Sequence, residues 1–93
     1  MIDFLNLFNL IAKQAKPHFE ENAVIDETQS FRDTELDSLD MLMICMYFSI
    51  VYGIDDDTAK SMSPINVFEL KEFVMANKTQ EPSSIEEALE MIK

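Results

Sequence analysis

The run Asp37-Ser38-Leu39-Asp40, continued by Met41-Leu42-Met43-Ile44-Cys45-Met46-Tyr47-Phe48-Ser49-Ile50-Val51-Tyr52 and closed by Gly53, decides how this chain folds. From Met41 to Ile54 there are fourteen consecutive residues without a charge. A segment apolar on every side belongs in the middle of a small protein, and its length predicts a helix. Asp37 and Ser38 are both good N-caps. Gly53, the one glycine in the chain, stands where helices most often stop. Spanning a bilayer takes about 20 apolar residues, so this is a buried helix and not a membrane span.

Helical patterns lie on both sides of it. Residues 2–16 place Ile2, Leu5, Phe8 and Ile11 at helical spacing, flanked by Phe4, Leu7 and Leu10. Lys13 and Lys16 suit the C-terminal dipole of that helix, and Pro17 ends it. Residues 17–37 form a long polar loop with Phe19, Val24, Ile25, Phe31 and Leu36 as anchors. Asp55-Asp56-Asp57 opens a short helical segment through Ser61. Ser63 with Pro64 predicts the start of a helix that carries Ile65, Phe68, Leu70, Phe73 and Val74 to about Asn77. Beyond the linker from Thr79, Ser84 and Glu87 have capping-box spacing, with Ile85, Ala88, Leu89 and Ile92 following. No strand or repeat is evident. The expected fold is all-α, with residues 1–78 as a helical bundle and 79–93 as a linker and an amphipathic extension.

Charge narrows the function. The 93 residues hold seven Lys and Arg against eighteen Asp and Glu, a formal charge of −11. Residues 20–57 alone carry eleven acids against the single Arg32. Nucleic acid and anionic membranes need clustered cations, so basic proteins are the natural partners. One cysteine cannot form an internal disulfide, and Met1-Ile2-Asp3-Phe4 has no signal-peptide character; a monomer in the cytoplasm is expected.

Catalytic readings fail early. His18, the only histidine, is expected at the surface after Pro17. Counted from Asp55, the sixth and twelfth positions of a calcium loop hold Lys60 and Asn66 instead of glycine and glutamate. The three aspartates therefore read as a solvated helix start, and no metal site is expected. Cys45 reads as a small buried hydrophobe. Ser38 has no neighbouring base to make it a nucleophile, but a serine in a helix's first turn presents its hydroxyl for modification.

Asp37-Ser38-Leu39-Asp40 resembles the Asp-Ser-Leu motif of acyl carrier proteins. The similarity covers roughly residues 2–77: an apolar first helix, a long loop, a serine opening the second helix, an acidic connection and a last core helix. It implies a four-helix bundle of acyl-carrier type, here with an extra C-terminal helix. Ser38 would then bear 4′-phosphopantetheine, attached covalently by a phosphopantetheinyl transferase. The protein would be a carrier and not an enzyme, serving acyl-transferring, condensing or ligase enzymes of fatty-acid, other lipid or polyketide-type metabolism.

Two departures from the pattern matter. Thr34-Glu35 stands where the family usually has Leu-Gly, in a loop about one residue short. The Gly-Gly pair that often precedes the serine in peptidyl carriers is missing, which is no departure but favours an acyl carrier. The second helix lacks the carboxylates that fatty-acid carriers present to partners; its outer stripe is expected to be Met43, Met46, Tyr47 and Ile50. This suggests a specialised carrier, in which either the tail helix folds back over the stripe or, the reading favoured because the tail has no obvious fixed path, the stripe docks a dedicated partner through apolar contact. Leu42, Ile44, Met46, Phe48, Ile65, Phe68, Leu70 and Phe73 are expected to line or adjoin a space between the second helix and the last core helix that shelters the acyl chain. The alternative is a small acidic all-α interaction module without a prosthetic group.

Overall fold

The computed structural model describes residues 3–17, 19, 24–34 and 36–92, which form five α-helices and one short 3-10 turn and no strand. Helix α1 spans Phe4–Ala15, with the Asp3 carboxylate accepting from the Asn6 N–H. Helix α2 is Ser38–Tyr52, α3 is Asp56–Lys60, α4 is Val67–Asn77 and α5 is Ile85–Met91. The all-α expectation holds. Ile2, His18 and Glu35 lie outside the described residues.

Helix α2 packs against each of the other four helices. Its Ile44, Phe48 and Val51 are fully buried, each worth about 1.5–3 kcal/mol of apolar transfer. Aromatic rings tie α2 to α1: Phe4 stacks on Phe48 at 5.1 Å between centroids, and Phe8 reaches both Phe31 at 5.2 Å and Phe48 at 6.3 Å. Leu70, Val74 and Val67 close the core from α4.

The long loop is pinned, as its anchors imply. Phe19, Val24, Phe31 and Leu36 are buried, whereas Ile25 is exposed. Buried Asn9 on α1 holds the loop as well: its amide donates to the Val24 carbonyl at 2.9 Å and its Oδ1 accepts from the Val24 N–H. The Phe31 N–H donates to the Ile65 carbonyl, and the Phe68 N–H donates to that of Glu27. These bonds keep Pro64 and Ile65 out of α4. The helix starts later than expected, capped by Asn66, whose side chain accepts from the Glu69 N–H at 2.8 Å.

Two expectations about faces are corrected. Leu42, Met46, Ile65 and Phe68 are exposed and Phe73 is half-buried; only Ile44, Phe48 and Leu70 of that set are fully in the core. Residues two apart on a helix point about 200° from each other, so 42 and 46 cannot share a face with 44 and 48. The outer stripe of α2 is accordingly Leu39, Leu42, Met46 and Ile50, at 65%, 55%, 54% and 49% exposure. Met43 and Tyr47 are half-buried, with Tyr47 packed against the core.

The tail has a fixed path. Helix α5 packs on α1 and α2 with Ala88 fully buried, yet the outer stripe stays exposed. The N–H groups of Thr79 and Gln80 both donate to the Tyr52 carbonyl, and the Thr79 hydroxyl donates to that of Gly53 at 2.6 Å. Gly53 makes this approach feasible, because its φ is 66° and a Cβ there would lie 2.3 Å from Thr79 Oγ1. Gly53→Ala should therefore cost at least about 1–2 kcal/mol in a Thr79→Ala background, from the left-handed backbone and a Gln80 side chain 3.0 Å from the new Cβ, and more beside the native Thr79. Urea unfolding of the four proteins of this cycle tests it; equal costs in both backgrounds would refute the contact.

Candidate functional site

The start of α2 is built by reciprocal bonds. The Asp37 carboxylate accepts from the Asp40 N–H at 2.9 Å, and the Asp40 carboxylate accepts from the Asp37 N–H at 3.2 Å. The same Asp40 oxygen receives Lys16 Nζ at 3.3 Å, so the end of α1 is tied to the start of α2. Asp37 is therefore the cap and Ser38 the first helical residue. Ser38 is exposed, and its hydroxyl has no hydrogen-bond partner among the described residues. The bond from the Asp40 N–H holds the Asp37 carboxyl below its ordinary 3.8, helped by the charge of Lys16.

Ser38 stands at the edge of a cleft of about 400 Å³. Phe31, Leu36, Met41, Leu42 and Met62 give it apolar walls, and Arg32 and Lys60 bring charge to it. A second hollow of about 360 Å³ continues along α2 past Met46 and Ile50 to Asp56. Leu42, Cys45, Ala59 and Lys60 line both hollows, making one groove between α2 and α3. Because successive residues of α2 rise 1.5 Å, Ser38 and Ile50 are about 18 Å apart along it. The groove thus begins at the serine and is lined by part of the outer stripe.

Cys45 is buried as expected, and desolvation pushes its thiol up to about 11. It therefore forms part of the groove floor, not a thiolate nucleophile. Asp55, Asp56 and Asp57 are exposed at the start of α3. Sequence reasoning missed that Arg32 and Lys60 line the same cleft as Ser38, although Arg32 was conspicuous as the only cation among the eleven acids of residues 20–57. No helix among the described residues is long and apolar enough to cross a membrane. No protein-family model, curated protein or solved structure matches the chain.

Asp37 makes the site's stability depend on pH. Its folded pKa is depressed, so its contribution is present above the unfolded value of about 3.9 and lost as pH falls through the folded value. In the Asp37→Asn variant the side-chain amide oxygen can still cap the helix but does not titrate. The melting temperature of the wild type minus that of Asp37→Asn should be constant from pH 7 to 5 and fall below pH 4. A difference that stays flat to pH 2.5 would show that Asp37 does not cap as an anion.

Proposed function

We propose that this protein is a free-standing acyl carrier, a bundle of acyl-carrier type in which Ser38 holds 4′-phosphopantetheine. The observation that carries this reading is the division of labour at the start of α2. Asp37 does the capping, and Ser38 keeps a free, exposed hydroxyl at the mouth of a largely apolar groove. A serine needed only as a cap would bond the backbone, and this one does not. The residues present fit the group: a hydroxyl to take a phosphodiester, two cations lining the same cleft, and a largely apolar groove leading away.

The bound arm would supply a thiol for thioester chemistry that no side chain here supplies, Cys45 being held protonated by burial. The chain's own part is to present Ser38 to a transferase and to offer the Leu42–Ile50 side of α2 to the cargo. Ile44, Phe48 and Val51 of α2 and Leu70 and Val74 of α4 are fully buried in one core, so the shelter moves from the expected space between those helices to the α2–α3 groove. The uncharged outer face of α2 favours a specialised carrier, loaded and emptied by acyl-transferring, condensing or ligase enzymes that dock through apolar contact.

The same exposed row of Leu39, Leu42, Met46 and Ile50 supports a second reading, an interaction module without a prosthetic group. Intact mass separates the two. Incubated with coenzyme A, magnesium and a broad-specificity phosphopantetheinyl transferase, the folded protein should gain one arm and Ser38→Ala none. Ser38→Ala should also melt within about 0.5 kcal/mol of the wild type, since the cap is elsewhere. Failure of the wild type to load beside a control carrier that does load would overturn the proposal.

Shelter in the groove has its own readout. At pH 8 a thiol near 11 is about a hundredfold less ionised than one at 9.0, so iodoacetamide should label Cys45 slowly in the native protein. With the arm thiol blocked by a medium-length acyl chain the labelling should slow further. Unchanged labelling across several chain lengths would place the cargo elsewhere.

A further inference from the structure

We infer that Arg32 and Lys60 clamp the phosphodiester joining the arm to Ser38, so that the first part of the arm lies in the cleft beside α2. This rests on the carrier reading of Ser38. A phosphodiester there puts a full negative charge next to Asp37, whose carboxyl is ionised at any physiological pH and whose neighbour in the capping box is Asp40. Without a cation at hand the arm is repelled from its own attachment site.

Lys16 does not fill this role, because it already bonds Asp40. Arg32, in the 3-10 turn Phe31–Asp33, and Lys60, the last residue of α3, line the same cleft as Ser38. Neither is in an ion pair among the described residues, although Asp33, Asp56 and Asp57 are close in sequence. The chain has only seven Lys and Arg, and two of them reach this one cleft from separate elements. Arginine can offer two parallel N–H donors to phosphate oxygens, and lysine adds a mobile point charge on a flexible stem. Both side chains are exposed, so binding demands little desolvation and should weaken as salt screens it.

The test uses the full-length protein loaded from coenzyme A, with loading verified by intact mass before each measurement. In the wild type the phosphodiester 31P resonance should be shifted and broader than in the same protein unfolded in urea. In Arg32→Gln/Lys60→Gln it should sharpen and move most of the way to the urea position, with Arg32→Lys in between. The melting temperature of the loaded wild type minus that of the unloaded one should be positive at low salt and shrink by about 0.5 M potassium chloride. That titration needs no variant, so it decides even if the double variant resists loading. A loaded wild type whose 31P signal matches the urea reference, or whose stabilisation ignores salt, overturns the clamp and leaves the carrier reading standing. A wild type that takes no arm overturns both.

Discussion

A helix without a polar face is the constraint on which this structure depends. Helix α2 has fifteen residues and one charge, Asp40, in its first turn. No rotation about its axis can hide all its apolar side chains in a protein this small. The fold buries one half against α1, α4 and α5 and leaves the other to α3 and solvent. Core and groove are two sides of the same helix, so what stabilises the protein also leaves a lipid-like surface open beside Ser38.

How much of this could be read in the sequence depended on the kind of signal. Punctuation was legible, because a cap or a stop is a local event of a few backbone bonds. Asp37, Gly53 and Ser84 act where the pattern puts them. Pro64 misled, because the Phe68 N–H is taken by a carbonyl from the distant loop and Asn66 caps instead. Nothing local in the sequence encodes that contact. The orientation of α2 was equally hidden. Amphipathicity tells which face of a helix is inside only when the two faces differ, and here they do not. The stripe came out about a residue away from its expected position, set by the ring stack of Phe4, Phe8 and Phe48.

The candidate site divides the same way. Ser38 was legible because it sits within four consecutive residues with a recognisable arrangement. The cleft beside it was not, since it joins Phe31, Arg32 and Leu36 to the start of α2 and to the stretch from Ala59 to Pro64. Bringing them together takes the Asn9 bonds that hold the loop at Val24, the Phe31 N–H to the Ile65 carbonyl, and the Lys16 bond to Asp40. All of them join residues distant in sequence, and a single hydrogen bond is worth about 0.5–1.5 kcal/mol net. The site is therefore held by contacts too weak individually, and too far apart in the chain, to leave a pattern.

The distribution of charge follows from the same geometry. Since α2 carries no charge past its first turn, acids of the middle third gather at its two ends: Asp37 and Asp40 at one, Asp55, Asp56 and Asp57 at the other. Each set occupies the start of a helix, where a carboxylate meets free N–H groups and the positive end of the dipole. Self-repulsion is reduced by distance, because Asp56 lies by Ile50 and ten residues of α2, about 15 Å of rise, part Ile50 from Asp40, which exceeds the screening length of about 8 Å at physiological salt. A partner that approached α2 broadside would meet an apolar ridge between two acidic ends. The apolar part can supply affinity and the ends orientation, since long-range attraction acts before contact and hydrophobic burial only after it.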